Sequence, residues 1–498
     1  KRAEGAEVEV RTGTRYQKKA YSGRALLFGL SGQAEADTVR ITWPNGLIQN
    51  ETRQAAGRHQ YKEAPRLSGS CPMIYTWNGS EFEFITDVLG VAPLGASSGE
   101  GEYFPVDHDE VIQVSGDSLV QRGGAYEIRI VEELREVAFL DSIRLVAVDR
   151  PASVSLFTND KFKSPPFPEF RLFGVEHRIP PLAARDDRGR DVRDLVLTKD
   201  RRYPDAFGRD MKGVARLHHL DLDFGSAAPD GRALLVLSGW VDWADGSTYL
   251  GSAQSSESGL VMPSVQVKDE HGEWQTVITD MGIPAGKPKT IVVDLSGKFL
   301  SASREVRIVT SLCVYWDEIF LSTDTAAPSV RMTDVKSMNA NLRFRGFSEV
   351  IVHPERLQPE RFVYANVRPT TMWNPTPGRY TRYGEVQPLL TEVDDRFVIM
   401  GSGDELRLRF DAAAMPVVPT GWRRDFLLVV DGWAKDADAN TAHSQTVEPL
   451  PYHGMPQYPY LAPDSYPSDG EHALYREYYN TRPALRLIRP LTEGLAKR

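Results

Sequence analysis

Residues 222–248 and 408–441 read as two copies of one unit. A chain that carries a β unit twice is constrained toward paired β domains. The first copy is LDFGSAAPDGRALLVLSGWVDWADGST and the second is LRFDAAAMPVVPTGWRRDFLLVVDGWAKDADANT. Each runs from an alternating apolar segment, through a small-residue turn containing Ala and Pro, to a strand-like Leu-Leu-Val. Each then reaches Gly-Trp, at Gly239-Trp240 and at Gly432-Trp433. Counting on from the Trp, Ala244, Asp245 and Thr248 match Ala437, Asp438 and Thr441 in offset, and the second copy has the longer middle loop.

A chain of 498 residues is too long for one core, and about three domains of roughly 150 residues are expected. The net charge of −9 argues against a nucleic-acid or anionic-membrane footprint. No apolar run approaches the roughly 20 residues of a spanning helix. The first residues, KRAEGAEVEV, lack an initiator Met and a signal h-region and begin within an alternating strand, so the chain reads as a fragment or processed product of a longer precursor. Cys71 and Cys313 either pair across domains or are buried thiols.

Short alternating runs bounded by Gly, Asn, Asp and Pro dominate the chain, which is the all-β pattern. YTWNGSEFEFITDV (75–88) predicts a hairpin with a two-residue type I′ turn at Asn78-Gly79, placing Tyr75, Trp77, Phe82 and Phe84 on one face. Strands are also expected within 125–150, 261–300 (turning at His271-Gly272) and 304–321. Helix is expected only in short connections, for example near 209–218. From about 449 the chain is rich in Pro and Tyr, which predicts an extended segment packed over a sandwich or a neighbouring subunit. The expected organisation is a β module over 1–66, a small β domain with the Asn-Gly hairpin over 67–150, β-sandwich units over 151–330 and 331–448, and a tail over 449–498. The fold class is all-β and multidomain, with tandem jelly-roll-like sandwiches.

Residues 5–63, through LLFGLSGQAEADTVRITWPNGLIQNE, resemble the ASPIC/UnbV domain. Phe28-Gly29-Leu30, Asp37, Val39 and Trp43-Pro44-Asn45-Gly46 carry the resemblance, which covers about an eighth of the chain. It implies the C-terminal part of a bacterial, cartilage-acidic-protein-like protein associated with FG-GAP repeats, with the domain's opening strands truncated. It further implies export to the periplasm, cell surface or exterior, and binding or scaffolding.

KDADANT places Asp436, Asp438 and Asn440 at alternate positions, the opening half of a calcium loop. The rest of an EF-hand loop fails, with no Gly at the sixth position and Val447 where the bidentate Glu belongs; the competing reading is a loop of Asx turns. Asp242, Asp245 and Ser247 are the first copy's equivalents. Ca2+ is therefore the candidate ion. In FPVDHDEV, alternation sends Asp107 and Asp109 one way and His108 and Glu110 the other, which splits any ligand set. His218-His219 with Asp221 and Asp223 raises the same difficulty. GIPAGKPKT (282–290) misses the phosphate-loop spacing and reads as a connection between strands. Asp317-Glu318 and Asp404-Glu405 offer paired carboxylates of the kind a glycosidase needs, and Trp240, Trp243, Trp316, Trp373 and Trp433 are either sugar platforms or core. Arg379, Tyr380, Arg382 and Tyr383 form a candidate binding surface.

No catalytic or cofactor-binding residue is assigned from these patterns. The expected function is an exported, non-catalytic binding or scaffold protein, a subunit of a larger assembly. Its partners would be other subunits, the rest of its precursor, or polysaccharide. The alternatives are a calcium-dependent carbohydrate-binding protein and a carbohydrate-active enzyme.

Overall fold

The structure is a computed structural model that describes residues 3–44, 48–63, 72–90, 93–99, 101–211, 213–225, 231–242, 244–255, 259–324, 329–354, 356, 359–368, 375–438 and 440–484. Strand makes up 47% of it and helix 6%, so the chain is all-β as its alternation predicts. No helix among the described residues is long and apolar enough to cross a membrane.

The first module is one four-stranded antiparallel sheet in the order Arg15–Ala20, Glu7–Thr12, Glu35–Thr42, Ile48–Ala55. Val10, Val39 and Ile41 face one side with Trp43, whose indole donates to Gln49 Oε1 at 2.9 Å. Asn45 and Gly46 lie outside the described residues.

The remainder departs from the expected domain order. Strands from 67–150 do not form a small domain of their own. Ala125–Val131 pairs with Asp404–Asp411, and Val137–Pro151 pairs along its length with Trp422–Lys435. Residues before 151 and after 330 therefore build one outer sandwich, and the intervening segment is a second sandwich inserted into it. The physical reason is visible in Val137–Pro151. Buried over most of its 15 residues, it needs neighbours on both edges and covers on both faces, which 67–150 alone does not supply.

In the outer sandwich, Ile128, Ile130, Leu406 and Leu408 of the six-stranded sheet pack on Leu145, Phe426, Leu428 and Val430 of the five-stranded sheet. In the inserted one, Leu220, Leu222, Val306 and Ile308 pack on Leu235, Leu237, Ile291 and Ile319. Alternate residues on each strand fill the interior, as face-to-face sheets require. Glu305–Leu312 and Val314–Ser322 lie in opposite sheets with Cys313 at the crossing. Residues 209–218, where helix was expected, are strand instead, in Arg209–Met211 and Val214–Asp223. Among the described residues the two α-helices are α1 (Gly246–Gln254) and α2 (Gly470–Tyr478).

The sequence duplication is structural. In each copy the first strand, Val214–Asp223 or Asp404–Asp411, lies in one sheet, and the second, Leu234–Val241 or Trp422–Lys435, is central in the sheet opposite. At each Gly-Trp the neighbouring strand bulges by one residue. Asp317 is extra opposite Ser238/Gly239, and Asp141 is extra opposite Asp431/Gly432. A Cβ on Gly239 would lie 2.4 Å from the Tyr315 carbonyl oxygen, and one on Gly432 2.1 Å from that of Phe139, so the bulge itself demands glycine.

The tail packs over its own sandwich. Val447, Leu450 and Tyr458 join Trp433, Phe139 and Phe397 on the outer face of the five-stranded sheet. The tail then forms α2, with Tyr475 buried, and the short strand Arg482–Ala484 pairs with Gly378–Tyr380. Lys435 reaches it from below, donating to the Val447 carbonyl at 2.8 Å.

Candidate functional site

Each bulge builds the same small device. Asp317 Oδ1 accepts the successive backbone N–H groups of Asp200 and Arg201, both at 3.0 Å. Asp141 Oδ2 accepts those of Asp394 and Asp395, at 3.1 and 2.9 Å. The second residue of each pair sits in the left-handed region, at φ 65° for Arg201 and 64° for Asp395. Two residues further on, an aromatic ring meets the Trp edge-on: Tyr203 on Trp240 at 6.1 Å and Phe397 on Trp433 at 5.8 Å. Non-glycine residues held at positive φ store backbone strain, and such positions concentrate at sites of function.

The device in the inserted sandwich opens on a cavity of about 480 Å³ between the two sandwiches, within the usual range for small-ligand sites. The outer sandwich supplies Phe84, Thr86 and Gln113, and the inserted one supplies Ser238, Trp240 and Thr290. Ser238 and Thr290 hydroxyls bond each other at 2.7 Å, and Lys199 Nζ donates to Thr290 at 3.0 Å. Arg178 binds Glu318 at 2.9 Å while lying over the Phe320 ring, and Arg150 binds Asp425 at 2.6 Å. The Arg201 guanidinium makes no hydrogen bond or ion pair with a described residue.

The cavity wall holds five cationic side chains (Arg150, Arg178, Lys199, Arg201, Lys289) against four carboxylates (Glu83, Asp160, Asp317, Asp425). Burial raises the Asp160 carboxyl well above its ordinary range, with Glu110 adding to the effect and the Val111 N–H opposing it. Burial also lifts Asp317 to about 6, against the two backbone N–H bonds. Arg150, Arg178 and Lys289 are each paired with a carboxylate, whereas Lys199 and Arg201 face the cavity without one among the described residues. Lys289 anchors the seam: its ammonium lies 2.7 Å from Asp87 and 2.9 Å from Glu110. Burial opposes its charge, but these two carboxylates outweigh that and hold it above its usual range. The 282–290 segment is thus a connection between strands, and its lysines clamp the sandwiches together.

The candidate calcium loops converge on one another. Ser247 donates to Asp438 Oδ1 at 2.6 Å, and Asn440 Nδ2 donates to Ser247 at 2.8 Å. Their carboxylates act as turn and cap acceptors. Asp436 takes the Asp438 N–H at 3.1 Å, Asp438 takes the Asn440 N–H at 2.9 Å, and Asp245 caps α1 through Thr248. Burial lifts Asp436 to about 6, and Asp242 is buried beside them. Among the described residues, three histidine, cysteine or carboxylate donors come within 4.8 Å in two other groups, His108–Asp431–His453 and Asp141–Asp395–His453. Asp221 is held in a two-pronged pair by Arg307, at 2.6 and 2.8 Å.

Of the Arg/Tyr candidates, Tyr380 is buried and donates to the Thr376 carbonyl. Tyr383 donates to Asp404, Arg382 lies over Tyr478 and Tyr479, and Arg379 faces solvent. That stretch is a seat for the tail more than an open surface. Asp404 and Glu405 are tied to Arg482 and Arg343, and Trp240, Trp316 and Trp433 are core. Trp243, Trp373 and Cys71 lie outside the described residues, and Cys313 is a buried free thiol.

Sequence reasoning missed Arg201, Asp317's role, Asp141, Asp395 and His453. A signal was there: Asp200-Arg-Arg-Tyr203 and Asp394-Asp-Arg-Phe397 share Asp-x-Arg-aromatic, 37 and 36 residues before the two Trp residues (203 to 240, 397 to 433). No family model, curated protein or solved structure matches the chain.

Proposed function

We propose that this is a non-catalytic binding protein whose ligand occupies the cavity between the sandwiches, and that the ligand is hydroxylated and acidic, such as an oligosaccharide containing uronic acid. The carrying observation is the wall of that cavity, where an uncommitted guanidinium on Arg201 stands with Lys199 beside the Ser238–Thr290 hydroxyl pair. Guanidinium groups grip carboxylates through two parallel bonds. Hydroxyls and Gln113 suit sugar hydroxyls, and Phe84 and Phe157 give apolar faces. Export belongs to the same proposal and rests on the resemblance of residues 5–63. The tail buries Tyr458 and Tyr475 within its own chain, which favours a ligand-binding role over one in which the tail docks on another subunit.

Calorimetric titration of the full chain with neutral and uronate-containing oligosaccharides tests the reading. Acidic ligands should bind at least about tenfold more tightly than neutral ones, a difference of about 1.4 kcal/mol, and Arg201→Ala should remove that preference. Equal affinity for both classes, or no binding at millimolar ligand, would overturn it.

A further inference from the structure

The second bulge device carries different side chains from the first. Where the cavity has Ser238 and Arg201, this one has Asp431 and Asp395. Two histidines join them: His108, just before the Asp109–Val114 strand, and His453 from the tail. His108 Nδ1 lies 2.7 Å from one Asp431 oxygen and His453 Nε2 lies 2.9 Å from the other. The imidazoles stand edge-to-face at 4.6 Å, with Trp433 beneath them at 5.7 and 4.7 Å.

We propose that His108, His453 and Asp431 bind a divalent first-row transition-metal ion, with zinc the best fit to the donors. Two imidazoles and a carboxylate suit zinc and its neighbours, whereas calcium takes six to eight oxygens. Zinc–ligand bonds of about 2.0–2.1 Å in a tetrahedron set donor atoms about 3.3 Å apart. The two histidine–Asp431 spacings need to open by about half an ångström, and the three donor atoms already lie within 4.8 Å of one another.

Three features distinguish the cluster from a surface ion pair. First, His453 is aimed from behind. Its Nδ1 lies 2.7 Å from Asp395 Oδ1, and the same oxygen accepts the His453 backbone N–H at 2.9 Å. A carboxylate on the far nitrogen fixes the tautomer that offers Nε2 to a metal. Second, Asp141 is fully buried with its Oδ2 3.6 Å from His453 Nδ1, and its Oδ1 has no hydrogen-bond partner among the described residues. A buried carboxylate oxygen without a donor is costly, and cationic charge beside His453 offsets that cost. Third, the approach is open on one side: the His108 side chain is 39% exposed and that of Asp431 only 6%. Asp109 follows at 3.7 Å from His108 Nδ1, so water or Asp109 completes the coordination.

The inference is independent of the ligand assigned to the cavity. Its test is a competition titration of the chelator-stripped full chain with zinc against a chromophoric chelator, with cobalt(II) absorption as a second readout. One equivalent should bind at micromolar zinc or tighter, with a tetrahedral or five-coordinate cobalt spectrum. His108→Gln, at a half-exposed position where an unchanged circular dichroism spectrum is expected, should weaken binding at least 100-fold. Asp395→Asn, a positioning change, should weaken it about 10–100-fold, and Asp436→Asn should leave it unchanged. No stoichiometric binding by the wild-type chain, or binding that survives His108→Gln, would overturn the proposal.

Discussion

A lysine ammonium enclosed by carbonyls and aromatic rings is stabilised far less than one in water. Lys435 is 1% exposed, and its amine meets the Val447 carbonyl and the Tyr458 hydroxyl, at 2.8 and 3.2 Å, with no carboxylate in contact among the described residues. Burial pushes it down to about 7, with Glu448 recovering only part. In the unfolded chain a lysine titrates near 10.4. Between those values the unfolded chain binds a proton that the folded chain does not, so stability rises with pH from about 7 to about 10.4. At about 1.4 kcal/mol per unit, the gain is a few kcal/mol. Urea denaturation across this range should show the stability of wild type gaining that much relative to Lys435→Met. A difference that stays flat with pH would mean that the amine keeps its solvation.

At the scale of elements, most of the architecture was legible where periodicity and turn chemistry agree. Residues 75–88 form the expected hairpin with Tyr75 on Phe84 and Trp77 on Phe82. Its loop spans four residues instead of two, because the Asn78 side chain accepts from Ser80 and Glu81 and closes a wider turn. The duplication was legible from Gly-Trp, since the bulge leaves no room for a Cβ. Strand at 209–218 was not, because its tertiary neighbours decide it: Val214–Asp223 lies between Ala183–Asp186 and Glu305–Leu312. The sites were least legible. Asp141, Asp395 and His453 come from three distant segments, and only the bulge and the returning tail bring them together. In FPVDHDEV, strict alternation misplaced the chemistry, since the strand begins at Asp109 and His108 turns to Asp431 while Glu110 turns to Lys289.

Over the whole molecule, a sandwich inserted within another must be held to its host by more than the continuity of the chain. Asp87 and Glu110 belong to the host and Lys289 to the insert, and Asp87 also accepts the Lys287 backbone N–H at 2.9 Å. Removing one partner of a buried ion group strands the others and costs about 3–5 kcal/mol. Lys289→Met should therefore lower stability by that amount and split a single calorimetric transition into two, as the insert loses its grip. An unchanged single transition would show that apolar packing alone couples the sandwiches. The two bulge devices then read as one geometry built twice, with Arg201 at the seam where Asp395 stands under the tail.

The central claim is that the cavity between the sandwiches holds the ligand, and hydrogen exchange on the full chain with and without a saturating uronate oligosaccharide tests it most directly. Protection should appear together at 83–86, 111–113, 199–203 and 238–240, segments that together line that cavity. Protection confined to one sandwich or to the tail, or none, would contradict the account.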